Sequence, residues 1–445
     1  MWGPGLGFKL LLANDLDEPV GRPPDPQTMT RTPSIGLSPA YASDPIARRI
    51  AEVGTSLLEG LGAVLDELPS AARGPQALAS ELGLDKVLCS RLLKAIRKSR
   101  DPLAVVHHVP GPDPLLRFLR GAKKAGAEAS VVAVGVASVE AFRAFVRDEM
   151  GDRGSLETVV ATWLPEARRE FELRRKQSAY RAMSQLRGIS TRVRMSSVFL
   201  APSKTEGRLD LVWLMGYLGL RSLRPGARAN FSTQRMLEPV EGEASPRHPE
   251  TLAGSAGVYP ESYRLDEFCE APAATVQAIP HGEYTHYNLA GDQIGPGSEV
   301  DLILCEVNRA ELPSSLPVGS RRKAHFSNEV ATPTKLLVFD AFVHRDVYPG
   351  SDPELRLYDR IQGGTADIND PSNEAYRLDM AESITRLGND PANFRADSIA
   401  SYHEIVRSVF ERLGWDPAAF TGHRTRIEYP ILGTRVAMLF DPPQR

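Results

Sequence analysis

Six residues between Lys86 and Lys98 have the types and spacing to act together: Lys86, Ser90, Arg91, Lys94, Arg97 and Lys98. Steps of one, three and four place them along one side of a helix. A row of ammonium and guanidinium groups in that arrangement can neutralise successive phosphates of a nucleic acid. Other candidate sites have simpler explanations. His281, Glu283 and His286 lack the i, i+4 helical spacing of a protease zinc site. On a strand His281 and Glu283 share a face while His286 points away, so a metal would need His325 or His344 from elsewhere. Ordinary surface polarity accounts for them. Gly363, Gly364, Asp367 and Asp370 could surround a cation, but turn formation explains their types. No phosphate-binding glycine loop, Gly-x-Ser-x-Gly elbow or His-Glu-x-x-His motif occurs. No catalytic set, cofactor or metal is therefore assigned.

The basic row needs a scaffold, and the segment Pro75–Ile96 supplies one. Leu78, Ala79 and Leu82 precede Gly83, and Leu84, Cys89, Leu92 and Leu93 follow it. Two short helically periodic runs around a glycine form the pattern of a helix-turn-helix. Gly83 ends the first helix in a left-handed conformation that other residues reach only at a steric cost. Ala79 is small where the second helix crosses, and Leu82, Leu84 and Leu92 fill the wedge. On this reading the helix Lys86–Lys98 is offered to a DNA major groove.

The run Gly83–Ile96 resembles the recognition helix of winged helix-turn-helix regulators of the MarR and IclR type. The shared positions are Gly83, Leu84, Asp85, Lys86, Ser90, Arg91, Leu92, Leu93 and Lys94. The resemblance covers about 25 residues closely and none of the last 300. It implies that Asp85 caps the recognition helix and that Lys86, Ser90, Arg91 and Lys94 face phosphates and base edges. It also implies a bacterial-type transcriptional regulator that binds double-stranded DNA as a homodimer, and a wing whose first strand would be Leu103–His108. Two positions depart from the pattern. Val87 and Leu88 stand where such regulators have Ser-Thr; they cannot donate to phosphate but can touch a thymine methyl. A similar fold serves as a dimerisation module in small-molecule methyltransferases, where apolar residues at Val87 and Leu88 would be unremarkable. An enzyme or small-molecule-binding protein is thus the alternative, and a purely structural interaction protein a third. Further on, Pro280, Gly282 and Tyr284 resemble the Pro-x-Gly-x-Tyr strand of GyrI-like effector-binding domains.

A chain of 445 residues is too long for one core. At 42% hydrophobic and 24% charged it has the apolar material for two or three. It has no run of 18 apolar residues, so no membrane span is expected. Three widely spaced cysteines fit reduced thiols in a cytoplasm. The net charge of −3 conceals an asymmetry. Between Ala71 and Ala127 eleven basic residues face four acidic ones, and between Trp163 and Arg194 nine face three. A basic front on an acidic body fits a polyanion binder. The solvated faces of amphipathic helices would look the same.

The periodicity divides the chain into four. Residues 1–43, rich in Pro, Gly and Asp, are expected to be disordered, with Met29 an alternative start. Residues 44–128 form the all-α winged helix-turn-helix, beginning with a helix striped by Ile50, Val53, Leu57, Leu61, Val64 and Leu68. Residues 129–190 form a helical linker, either a dimer seam or a core helix. From Thr191 the period changes to two. Residues 191–445 are expected to form an α+β domain with a largely antiparallel sheet that binds a small-molecule effector or makes protein contacts. Strands are expected at Arg194–Leu200, Leu209–Leu220, Thr275–Ile279, Val300–Val307, Lys335–His344 and Leu355–Ile361. Helices are expected over Tyr376–Leu387 and Ile399–Leu413, then a hairpin of Thr425–Glu428 with Thr434–Phe440. The loop Glu238–Pro260 reads as an insertion.

Overall fold

The computed structural model describes residues 44–99, 101–234, 249–254, 263–270, 275–281, 284–290, 299–359 and 368–445. The expected tail 1–43, most of the Glu238–Pro260 loop, Glu283 and the Gly363–Asp367 segment lie outside the described residues. Among the described residues, the segment Pro45–Arg187 is helical and the part from Ile189 onward is built on sheets.

The helical part begins with α1 (Pro45–Asp66). Asp44 caps it, accepting from the Ile46 and Ala47 amides, with Pro45 in the first turn. The expected stripe, Ile50 to Leu68, is buried throughout. There follow α2 (Pro69–Arg73), α3 (Pro75–Leu82) and α4 (Lys86–Leu93), which continues into a wider π turn, Lys94–Lys98. Next come α5 (Pro102–His108), α6 (Pro112–Lys124), α7 (Ala129–Ala144, extended by a π turn to Glu149), α8 (Arg153–Ala161) and α9 (Pro165–Arg187). Helices α1 to α8 share one core around Leu57, Leu61, Leu92, Phe118 and Phe142. The Gly54 Cα lies so close to α5 that a Cβ there would sit 2.2 Å from the Pro102 carbonyl oxygen. Helix α7 with its extension is long and apolar enough to cross a membrane, by length and composition alone. It packs along α1 and α6, burying Val132, Gly135, Val139 and Phe142.

The segment expected to start the wing is not a strand. Leu103–His108 lies within α5, started by the Asp101 side chain accepting from the Leu103 amide at 2.8 Å with Pro102 in the first turn. Leu103, Val105 and Val106 are all buried, and a short apolar run sunk on every side carries no period to tell strand from helix. Among the described residues no strand precedes Ile189, so a helix stands where the resemblance placed a wing.

Helix α9 ends at Gly188 in the left-handed conformation, and the chain turns directly into the sheets. The strands are β1 (Ile189–Pro202), β2 (Arg208–Ser222), β3 (Arg228–Gln234), β4 (Thr275–His281), β5 (Tyr284–Ala290), β6 (Val300–Pro313), β7 (Ala324–Glu329), β8 (Thr334–His344), β9 (Glu354–Tyr358), β10 (Arg377–Leu378), β11 (Ile384–Gly388), β12 (Phe420–Glu428) and β13 (Arg435–Phe440). A single long helix, α10 (Tyr402–Leu413), falls between β11 and β12. The central sheet runs β11-β12-β8-β1-β2-β6 and is mixed: β1 pairs antiparallel with β2 (Val198 opposite Trp213) but parallel with β8 (Val198 opposite Ala341). One face carries α10, with Phe199, Phe342, Ile405, Val409 and Phe410 between them. The other face is covered side by side by a four-stranded sheet, β10-β9-β13-β7, and a three-stranded one, β3-β5-β4.

Two sequence expectations fail here. Tyr376–Leu387 is not a helix but a short 3-10 turn followed by β10 and β11, which patch the ends of two sheets. Its apolar residues at helical spacing, Tyr376, Met380, Ile384 and Leu387, are at best half-buried. The expected final hairpin is also absent. β12 joins the central sheet beside β8 while β13 joins the four-stranded sheet between β9 and β7, so consecutive strands serve different layers.

The two parts are clamped along α9. Lys176 is buried in an ion pair with Glu382, Arg168 bridges to Asp379 at 2.9 Å, and the Tyr180 and Tyr429 rings lie 5.4 Å apart. Phe171, Leu173, Tyr180 and Met183 on this helix are half-buried, and Leu186 is exposed. Its contact with the sheets is largely ionic.

Candidate nucleic-acid interface

The turn between α3 and α4 is built as its residues require. Gly83 adopts φ 62° and ψ 39°, and its amide returns to the Ala79 carbonyl. The Leu84 amide reaches the same oxygen at 3.0 Å. Asp85 then caps α4 by accepting from the Val87 amide at 2.8 Å and the Leu88 amide at 3.2 Å. Leu78, Ala79, Cys89 and Leu92 are buried, and Leu82 and Leu84 close the wedge half-buried. α6 crosses so close that a Cβ on Gly121 would touch the Leu82 Cβ at 3.3 Å. Burial, with the neighbouring Asp85 charge, raises the Cys89 thiol above its ordinary pKa, so this cysteine behaves as a small core residue.

This scaffold presents Lys86, Ser90, Arg91, Lys94, Arg97 and Lys98 to solvent. The side chains of Lys86, Ser90, Arg91, Lys94 and Lys98 make no hydrogen bond or ion pair with another described residue. Arg97 differs. Its guanidinium turns back on α1, donating to the Leu65 carbonyl and the Asp66 carboxylate at 3.3 Å each, so it helps cap a helix end. Val87 is 65% exposed beside Lys86 and Arg91, an apolar contact point within a cationic field. At the base of the face, burial holds His108 below the ordinary histidine pKa, and the His107 and Lys94 charges push the same way.

The remaining candidates separate in the fold. His286 hydrogen-bonds Ser232 at 2.7 Å on the three-stranded sheet, His325 sits in the four-stranded sheet and His344 at the end of β8. Among the described residues no cluster of three metal-ligating side chains occurs. Asp370 caps the 3-10 turn Pro371–Tyr376 by accepting from the Ser372 amide at 2.9 Å.

Sequence reasoning missed a cavity of about 610 Å³. It opens where the four-stranded and three-stranded sheets meet over β1 and β2. Arg194 and Ser196 reach it from β1, Trp213 and Met215 from β2, and Phe231 from β3. The one available signal was the alternation Arg192-Val-Arg194-Met-Ser196, which puts an arginine on the inward side of an apolar strand. No family model matches this chain, and no curated protein and no solved structure matches it either.

Proposed function

We propose that the chain is a DNA-binding transcriptional regulator, with α4 as its recognition helix and the sheets as an effector or interaction region. One observation carries the reading: Lys86, Ser90, Arg91, Lys94 and Lys98 extend into solvent without partners among the described residues, on a helix held by a glycine turn and an aspartate cap. Unpartnered cations along one helix fit a phosphate backbone. Lys86, Ser90 and Arg91, near the N-terminal end of α4, take base edges, and Lys94 and Lys98 take phosphates. A single helix of this size buries too little surface for tight specific binding, so two copies on half-sites one duplex turn apart are expected.

The test is selection from random double-stranded DNA, followed by anisotropy titration of the enriched sequence across a salt series. With two cations on phosphates, Lys94 and Lys98, log affinity should fall against log salt with a slope of about −2 per protomer. Arg91→Ala should cost about 1–3 kcal/mol and relax one base position, whereas Lys98→Ala should lower the slope by about one. Failure to enrich any sequence, or binding indifferent to both substitutions, would overturn the assignment. The helix at Leu103–His108 in place of a wing favours a second reading, in which this face meets a second copy of the chain and the helix-turn-helix only dimerises an enzyme or small-molecule-binding protein. Under it, Arg91→Glu would shift the sedimentation of the protein without any DNA present.

A further inference from the structure

Arg194 is a buried cation with no carboxylate partner among the described residues. It lies on β1, and the only hydrogen bonds of its guanidinium go through one terminal nitrogen to main-chain oxygens, Met195 at 2.9 Å and Gly216 at 3.1 Å. Its Nε has no partner, and it pairs with no carboxylate among the described residues. The guanidinium carbon sits 4.3 Å from the centre of the Tyr217 ring and 5.4 Å from that of Phe231. Those aromatic faces soften the desolvation but leave the charge in place. Burial pulls the group below its ordinary pKa, and arginine still does not give up its proton at neutral pH.

The unmet polarity is not confined to one residue. Ser196 Oγ and Asn328 Oδ1, buried on the walls of the same cavity, also lack partners. Two orphaned donors, Arg194 Nε and Ser196 Oγ, and one orphaned acceptor, Asn328 Oδ1, thus belong to residues that line one cavity, and buried polar atoms are otherwise almost always satisfied. Arg187, Arg435 and His325 also line it, against Glu329 as the one carboxylate. Among the polar lining lie two aromatic surfaces: Trp213 stacks on Phe339, and Phe231 stacks on Tyr287 with planes 6° apart. A volume of about 610 Å³ lies within the range of small-molecule sites.

We propose that this cavity binds a small organic anion with a planar apolar body, its acidic group seated on Arg194 and accepting from the Ser196 hydroxyl and the Asn328 amide nitrogen, its body over Trp213 and Phe231. A carboxylate and a phosphate monoester share the chemistry that the guanidinium fork recognises. This inference does not depend on whether α4 meets DNA.

The experiment uses the full chain and two fluorescent probes, anionic 1-anilinonaphthalene-8-sulfonate and neutral N-phenyl-1-naphthylamine, with benzoate and phenyl phosphate as competitors. The expected result is saturable binding of the sulfonate that Arg194→Met weakens at least tenfold, while the neutral probe binds wild type and variant alike. Benzoate or phenyl phosphate should displace the sulfonate, the stronger competitor naming the acidic group. Ser196→Leu, which fills the cavity, should abolish binding of both probes and keeps the test available if Arg194→Met does not fold. No sulfonate binding, binding unchanged in Arg194→Met or in Ser196→Leu, or failure of both competitors would overturn the proposal. A melting temperature well below wild type for a folded Arg194→Met would also overturn it, because that would make Arg194 a structural residue.

Discussion

The central sheet carries an arginine on each face, Arg424 half-buried on one and Arg194 buried on the other, and the two are treated in opposite ways. On the α10 face, Arg424 grips Asp340 with two hydrogen bonds of 2.9 and 2.6 Å. The Tyr402 hydroxyl donates to the same carboxylate, and Ser197 hydrogen-bonds Tyr402 at 2.9 Å. Burial pushes the Asp340 carboxyl up while the Arg424 charge draws it down, and the guanidinium is itself stabilised by the pair. On the other face, Arg194 finds two carbonyls and two aromatic rings but no anion. The first arrangement is closed: every charge has a protein partner, and removing one strands the other. The second is open, and openness at a buried charge marks a place where something from outside completes the structure. The same residue type thus reads as scaffold or as site according to what surrounds it.

This contrast can be broken in several ways. The largest effect is expected for Arg424→Met, which leaves the Asp340 carboxylate buried and alone. The loss should be about 3–5 kcal/mol of unfolding free energy by urea titration. Pairing it with Asp340→Leu should recover most of that. No recovery in the double variant would mean that packing rather than charge closure holds this face.

His423 gives the next test, because it is buried on the same side of the sheet as Arg194, against Phe440. Histidine can discard its charge where arginine cannot. Burial lowers the His423 pKa to about 4 in the fold, from the ordinary value of 6.5. The unfolded chain therefore binds the proton more readily. The stability from keeping this ring neutral is present above about pH 6.5 and is lost as pH falls toward 4. The loss reaches at most about 3 kcal/mol. Urea midpoints for wild type and His423→Gln should diverge over that window, and parallel curves would remove this residue from the account. The smallest expected effect is that of Arg194→Met on folding. Without a paired carboxylate to strand, the unliganded protein should change by less than about 1 kcal/mol or become more stable.

How much of this could be read from the residues alone varies with how local the cause is. The α1 stripe and the Gly83 turn were legible because their determinants lie within one or two helical turns, and the Asp85 cap was implied by the family resemblance. The outward direction of Lys86, Arg91 and Lys94 followed from the same helical period. Leu103–His108 was misread because a short segment buried on all sides has no period, although Asp101-Pro102 ahead of it carried a helix-start signature. Tyr376–Leu387 was misread for the opposite reason, a helical spacing of apolar residues that tertiary pairing overrode.

Sequence order therefore settled most of the helical half, Leu103–His108 excepted, and the composition of its basic face, since a helix is closed by hydrogen bonds between near neighbours. It could not settle the sheets. The parallel pairing of Val193 with Leu336 and the splitting of β12 from β13 join residues whose partners are chosen by long-range packing. The cavity belongs wholly to that level, because Arg194, Phe231 and Asn328 meet only once three sheets have assembled around them.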